Sequence, residues 1–167
     1  MLKKTLNLPN NSCNDYLYGE RESGLLGIPL AAEDSDIANV DGAVKLLLSK
    51  NPIICNIAWS EIREVANWRF DSDDDGDILK YLNSVPGIRN SNRYKSQWSR
   101  ARAASGRLKL TWNIREPDLV SVAFGKNVVC NKNHVFRSLR STFKKNRTLG
   151  FRFARISYHF LSKSKMF

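Results

Sequence analysis

The sequence predicts a mainly α fold: a helical bundle, then a basic helical region, with one short extended segment between them. Three observations carry this. Apolar residues recur at three- and four-residue spacing through most of the chain. Glycine, proline and asparagine fall between these runs, where helices start and stop. The charge also changes sign along the chain. Residues 1–88 hold eight Lys or Arg against fourteen Asp or Glu, a net −6, and residues 89–167 hold nineteen against two, a net +17. The 42% apolar content predicts a buried core, and 167 residues suit one domain or two small ones. Composition places a boundary at 86–87, giving segments 1–86 and 87–167.

Leu6 to Pro29 reads as a turn-rich entry, with a short aromatic helix or turn at Asp15–Tyr18. In ESGLLGIPL, Gly24, Gly27 and Pro29 force a compact loop around Leu25, Leu26 and Ile28. Leu26 and Ile28 are expected to be buried there, pinning the loop against the helices that follow. Ile37 to Ser49 forms the first long helix, with Ile37, Val40, Val44 and Leu47 or Leu48 on one face and an i,i+4 pair of Asp41 and Lys45. Asn51 caps the next helix with Pro52 at its first position. Its apolar positions are Ile54, Ile57, Ala58, Ile62 and Val65, flanked by Trp59 and Trp68. Two such helices across a short loop make an antiparallel hairpin.

The acidic run Asp71–Asp77 matches the first half of a calcium-binding EF-hand loop, but Leu82 stands where the bidentate glutamate belongs. It reads better as an acidic linker that starts a short helix at Ile78–Leu82. After Pro86-Gly87, Asn90 to Ser105 is a helix closed by Gly106. Arg93, Gln97 and Arg100 share one of its faces, with Lys95 and Arg102 beside it. Residues 107–114 alternate as a strand would, but with no obvious partner, so an extended linker fits equally. Pro117 and Asp118 open a short helix at Leu119–Phe124, closed by Gly125.

Two basic amphipathic helices end the chain. In the first, Val135, Phe136, Leu139 and Phe143 form an apolar stripe beside Arg137, Arg140, Lys144 and Arg147, with Lys145 thickening the basic face. In the second, Leu149, Phe153, Ile156 and Phe160 lie beside Arg152, Arg155, His159 and Lys163. A solvated helix face usually mixes signs, yet no acidic residue follows Asp118. The stripes therefore point to a polyanion. Nucleic acid comes first, and an anionic membrane surface is weaker because no anchor accompanies the arginines. The residues expected to contact nucleic acid are Arg93, Arg100, Arg102, Arg137, Arg140, Lys144, Lys145, Arg147, Arg152 and Arg155.

The order Leu8-Pro9, Tyr16-Leu17-Tyr18, then Gly24 to Pro29 (GLLGIP) resembles the segment joining palm to thumb in reverse transcriptases of site-specific non-LTR retrotransposons, the R-two-like clade. Leu25 departs from that pattern, replacing the second glycine of a GGLGIP-like loop. The match runs best over Leu8–Trp68 and is loose after Pro86. The resemblance implies that 1–86 is a palm-exit loop and a thumb-like helical hairpin, and that 87–167 is a basic linker that binds the template–primer or target nucleic acid. It also implies that the palm lies before Met1 and that the parent polymerase uses divalent metal ions.

No chemistry of that kind is expected in this chain. It lacks the aromatic-x-Asp-Asp motif that positions two metal ions, and Asp71–Asp77 lacks its strand context. Cys130 and His134 are half of a zinc site without the other half. His134 and His159 have no nearby carboxylates, so no catalytic residues, cofactors or metal ligands are expected. Cys13, Cys55 and Cys130 are odd in number and scattered, which suits free thiols in a reducing compartment, the cytosol or nucleus. Two readings of other classes stand beside the first: a free-standing basic helical nucleic-acid-binding module, and a calcium-responsive regulator built on the acidic run.

Overall fold

The structure, a computed structural model, describes residues 2–72, 74–89, 96–115, 120–125, 127–130 and 137–147. The fold is mainly α, with a small antiparallel sheet. Packing divides the chain elsewhere than the composition does: the residues up to Leu30 cluster with those from Ser141 onward, and Ala31–Arg140 form a second unit.

In the smaller unit, α1 (Leu2–Thr5) and α2 (Asn14–Tyr18) are short helices. The Lys3 ammonium ties α1 to the loop before α2, donating to the Ser12 carbonyl at 2.6 Å and the Asn10 carbonyl at 3.1 Å. A 3-10 turn at Arg21–Ser23 then leads into the glycine loop. That loop folds back on α2, where Leu26 N donates to the Tyr16 carbonyl at 3.0 Å and Ile28 N to the Leu17 carbonyl at 2.8 Å. Gly24 and Gly27 carry the left-handed φ values, +77° and +63°, so the two glycines that remain are those the turn requires. Leu25 lies outside the left-handed region and its side chain is 5% exposed, against the close surface of Gly19. Leu25 is thus the residue that anchors the loop. Leu26 and Ile28, expected to be buried, are only half-buried, because their backbones rather than their side chains make the contact.

The larger unit is built on α3 (Ala31–Leu47) and α4 (Pro52–Phe70), which form the expected hairpin. Asn51 accepts from Ile53 N at 3.0 Å and Pro52 opens α4, as the sequence predicts. Ile37, Val40, Val44 and Leu47 are buried on α3, and the Lys45–Asp41 pair forms at 2.7 Å. On α4, Ala58, Ile62, Val65 and Ala66 are the buried positions. Ile54 and Ile57 are exposed instead, at 43% and 52%. Ile57 points away from Ile62 around the helix, whereas Ile54 shares the face of Ala58 and Val65 but lies in the first turn, so apolar spacing alone misplaces both. α5 (Gly76–Leu82) follows the acidic run and α6 (Gln97–Leu108) packs chiefly on α3.

Two element assignments change. Gly106 does not end α6. The helix continues to Leu108, and Lys109 takes the left-handed capping conformation at φ +54°. Gly106 serves close approach instead, since a Cβ there would meet Ser84 Oγ at 3.3 Å. The short helix expected at Leu119–Phe124 is a strand, β2 (Val120–Phe124). It pairs antiparallel with β1 (Leu110–Ile114), Trp112 facing Val122. Val120 and Val122 bury one face of the pair, and β-branched residues at alternate positions favour a strand over one turn of helix. The segment 107–114 therefore splits: Arg107 and Leu108 are helical, Lys109 caps the helix, and Leu110–Ile114 is a paired strand. β3 (Asn127–Cys130) adds a third strand to β2.

Side chains tie the sheet to the helices. Trp112 Nε1 donates to the buried Ser105 Oγ at 2.7 Å. The Asn83 amide meets the Trp112 backbone both ways, accepting from N at 2.7 Å and donating to O at 3.1 Å. Residues 137–147 form a further helix, α7. Among the described residues, no helix is long and apolar enough to cross a membrane.

Candidate nucleic-acid interface

The arginines and lysines predicted to meet a polyanion fall into three groups. Arg100 on α6, and Arg137 and Lys145 on α7, are exposed. Lys144 is half-buried. Arg93, Arg152 and Arg155 lie outside the described residues, as do the second basic helix, Val135, Phe136 and His134.

The remaining three are held by the protein. Arg102 Nε donates to the Tyr81 carbonyl at 2.9 Å and its Nη2 to the Val85 carbonyl at 3.3 Å. It thus adds a second donor to the Tyr81 carbonyl, which also accepts from Ser84 N at 3.1 Å, and it stacks on the Tyr81 ring at 5.4 Å. Burial lowers its pKa from the usual value, and the nearby Arg69 lowers it further. Arg140 pairs with Asp34 at 3.1 Å. Arg147 Nη1 reaches the Tyr18 carbonyl at 3.4 Å, a long contact. Helical spacing places these residues correctly along their helices, but it cannot say which ones meet a partner brought from far along the chain.

The linear pattern of stripes does not reveal a second basic region. Arg69, in the last turn of α4, and Arg102 on α6 act on Tyr81, while Arg89, after α5, lies over Trp68. Arg89 N donates to the Arg69 carbonyl at 3.2 Å, and the Arg89 guanidinium lies 5.7 Å from the Trp68 ring centre. Arg89 Nη2 pairs with Asp71 at 2.6 Å. The Arg69 and Arg102 charges both reach the Tyr81 hydroxyl, whose pKa is raised by burial and partly drawn back by these two cations. No stripe could show this group, because its members are isolated in sequence.

The acidic run is taken up by neighbouring cations. Besides Asp71 with Arg89, Asp75 pairs with Arg63 at 2.8 Å and Asp77 with Lys80 at 2.7 Å. Asp77 is buried, where a solvated linker was expected. The Asp74 carboxylate accepts from Gly76 N at 3.0 Å, closing an Asx turn. Carboxylates spent in this way do not fit the paired divalent ions of a polymerase. A cleft of about 730 Å³ adjoins this run, walled by Trp59, Arg63, Asp75, Ile78, Ile114 and Arg115.

Comparison with protein-family models, with curated proteins and with solved structures gave no match.

Proposed function

We propose that this chain is a non-catalytic, nucleic-acid-binding part of a retrotransposon RNA-directed DNA polymerase, and that it grips the phosphate backbone of the template–primer or target. Nuclear or cytoplasmic residence goes with that reading. The observation that carries the binding is the charge split, −6 before residue 89 and +17 from it. Exposed Arg100, Arg137 and Lys145 present part of that charge on helices, in fixed directions. Such groups meet phosphates whatever the sequence, so binding is weakly sequence-specific and strongly salt-dependent. The family part of the proposal rests on the resemblance over Leu8–Trp68. The α3–α4 hairpin supports it, since a helical hairpin after the loop is what that resemblance implies.

The binding test is a titration of a labelled RNA–DNA duplex against the wild type and Arg137→Glu/Lys145→Glu, at several salt concentrations and with folding checked by circular dichroism. Arg140 is avoided because its loss would strand Asp34. The double variant should bind more weakly, and its salt slope should fall by roughly 1.8, about 0.9 for each phosphate that is no longer neutralised. Equal affinity and slope would make the α7 charges a solvated face. The family reading is tested at the gene: an upstream frame encoding an aromatic-x-Asp-Asp hairpin supports it, and a locus without one favours a free-standing basic module.

A further inference from the structure

We infer that the cleft lined by α4, α5 and the end of β1 takes up one unpaired nucleotide, its base against the apolar wall and its phosphate at the rim. The inference rests on the nucleic-acid reading above and adds a contact with a base, which the basic helices do not supply.

The cleft measures about 730 Å³ and is lined entirely from the larger unit. Small-molecule sites run from about 300 to 1,000 Å³ and combine an apolar wall with a few polar groups. This cleft has both parts. Trp59, Leu79 and Ile114 are half-buried beside the buried Ile78 and supply the wall. Asn56, Arg63, Asp75 and Arg115 are exposed and supply the polar rim. Arg63 Nε donates to Asp75 at 2.8 Å, so these two bring a donor and an acceptor but no net charge. Among the described residues, the Arg115 guanidinium has no such partner, and neither has the Asn56 amide. Arg115 is therefore the unbalanced cation of the rim.

These groups select among ligands. A wholly apolar molecule would strip water from Asn56 and from the Arg63–Asp75 pair and return no hydrogen bonds. An anion without a ring would leave the surface of Trp59 and its aliphatic neighbours wet and would meet the Asp75 carboxylate. A nucleotide has a part for each group. Its flat base suits the indole and the aliphatic wall, and the donors and acceptors on the edge of the base suit Asn56 and Asp75. Its phosphate suits Arg115. A base within a duplex has its faces and its pairing edge already taken, so the occupant is unpaired.

The test uses the full chain with adenosine monophosphate, adenosine and ribose phosphate as probes, followed by the amide resonances of the protein. It then compares the blunt RNA–DNA duplex with the same duplex carrying one unpaired nucleotide. The monophosphate should shift the resonances of Ser60, Gly76 and Leu79, and adenosine should bind about three- to tenfold more weakly. Ribose phosphate should bind more weakly still. Arg115→Gln should weaken the monophosphate by about three- to tenfold and leave adenosine unchanged, whereas Asn56→Leu should weaken both. Both residues are exposed, so both variants should fold. Tighter binding of the overhang duplex than of the blunt one, lost in Arg115→Gln, supports the site as one for a nucleotide of the bound strand. Monophosphate binding without that advantage supports it as one for a free nucleotide. Equal binding of the monophosphate by wild type and both variants would overturn the site, since the probe would then lie elsewhere. So would the absence of any shift with no advantage for the overhang. In either case, weaker duplex binding by Arg137→Glu/Lys145→Glu would leave the nucleic-acid reading standing. A wild type that binds neither the monophosphate nor either duplex would overturn both.

Discussion

The first half of the chain is acidic and the second basic, yet in the fold the two are not opposed surfaces. Arg107 on α6 makes a two-pronged pair with Asp36 on α3, at 2.6 and 2.8 Å. Arg140 pairs with Asp34 and Arg89 with Asp71. In each case an arginine from the basic half answers an aspartate from the acidic half. Charge counted along a sequence therefore overstates charge presented to a partner. What remains for a polyanion is the part of the basic half that the acidic half does not answer, including Arg100, Arg137 and Lys145.

The largest expected effect comes from breaking the packing that joins the halves. Trp98 is fully buried on α6, and its Nε1 reaches Glu61 on α4 at 3.3 Å. Trp98→Ala should cost about 3–5 kcal/mol, read as a lower denaturant midpoint. A midpoint close to wild type would mean that α6 does not hold the two sequence halves together. Next is Asn83→Ala. It removes the side chain that satisfies Trp112 N and O, and an orphaned buried group costs about 1–3 kcal/mol. Loss of amide protection at Trp112 in hydrogen exchange would identify the cause.

These two sites also show what was legible in the sequence. The α3–α4 hairpin could be read because its signals are local: Asn51 and Pro52 mark the start of α4, and Ile37, Val40, Val44 and Leu47 recur on one face of α3. β2 could not, because Val120–Phe124 becomes a strand through pairing with Leu110–Ile114, and Pro117-Asp118 gives an equally good local signal for a helix. Nor could the loop anchor be read: nothing in GLLGIP says whether Leu25 or Leu26 points inward until the backbone bonds from Leu26 and Ile28 to α2 are known. The basic stripes were visible as stripes. Their division into exposed and held residues depended on partners distant in sequence: Asp34 for Arg140, the Tyr81 and Val85 carbonyls for Arg102, and the Tyr18 carbonyl for Arg147.

A smaller effect sharpens the comparison between halves. Asp36 is only 13% exposed on its side chain, but Arg107 is 60% exposed, so solvent screens the pair. Its coupling in a double-mutant cycle of Asp36→Asn and Arg107→Gln should be about 0.2–1 kcal/mol, the range for exposed pairs, toward the upper end because it is bidentate. A coupling of zero would mean that α3 and α6 are joined by their apolar faces alone, and that the pairing of acidic with basic half is incidental to stability.

The smallest effect is one of pH, and it belongs to a pair made wholly within the acidic half. The Asp77 carboxylate accepts from Lys80 one turn along α5, and that hydrogen bond holds its pKa below the ordinary value of 3.8 despite burial. Asp77 has the depressed folded-state pKa, so the unfolded chain takes up its proton first as pH falls. The stability it contributes is present above pH 3.8 and drains away as pH falls through the lower, folded value. Lys80 is shifted the opposite way by the same bond, so its contribution holds below the ordinary lysine value of 10.5 and fades above it. Between these limits the pair is silent, and Asp77→Asn should leave the pH dependence of stability unchanged from about pH 5 to about pH 9. Below about pH 4 the wild-type curve should fall more steeply than that of Asp77→Asn. Parallel curves in acid would mean that the carboxylate is held no more tightly folded than unfolded, and that its bond to Lys80 contributes nothing to acid stability.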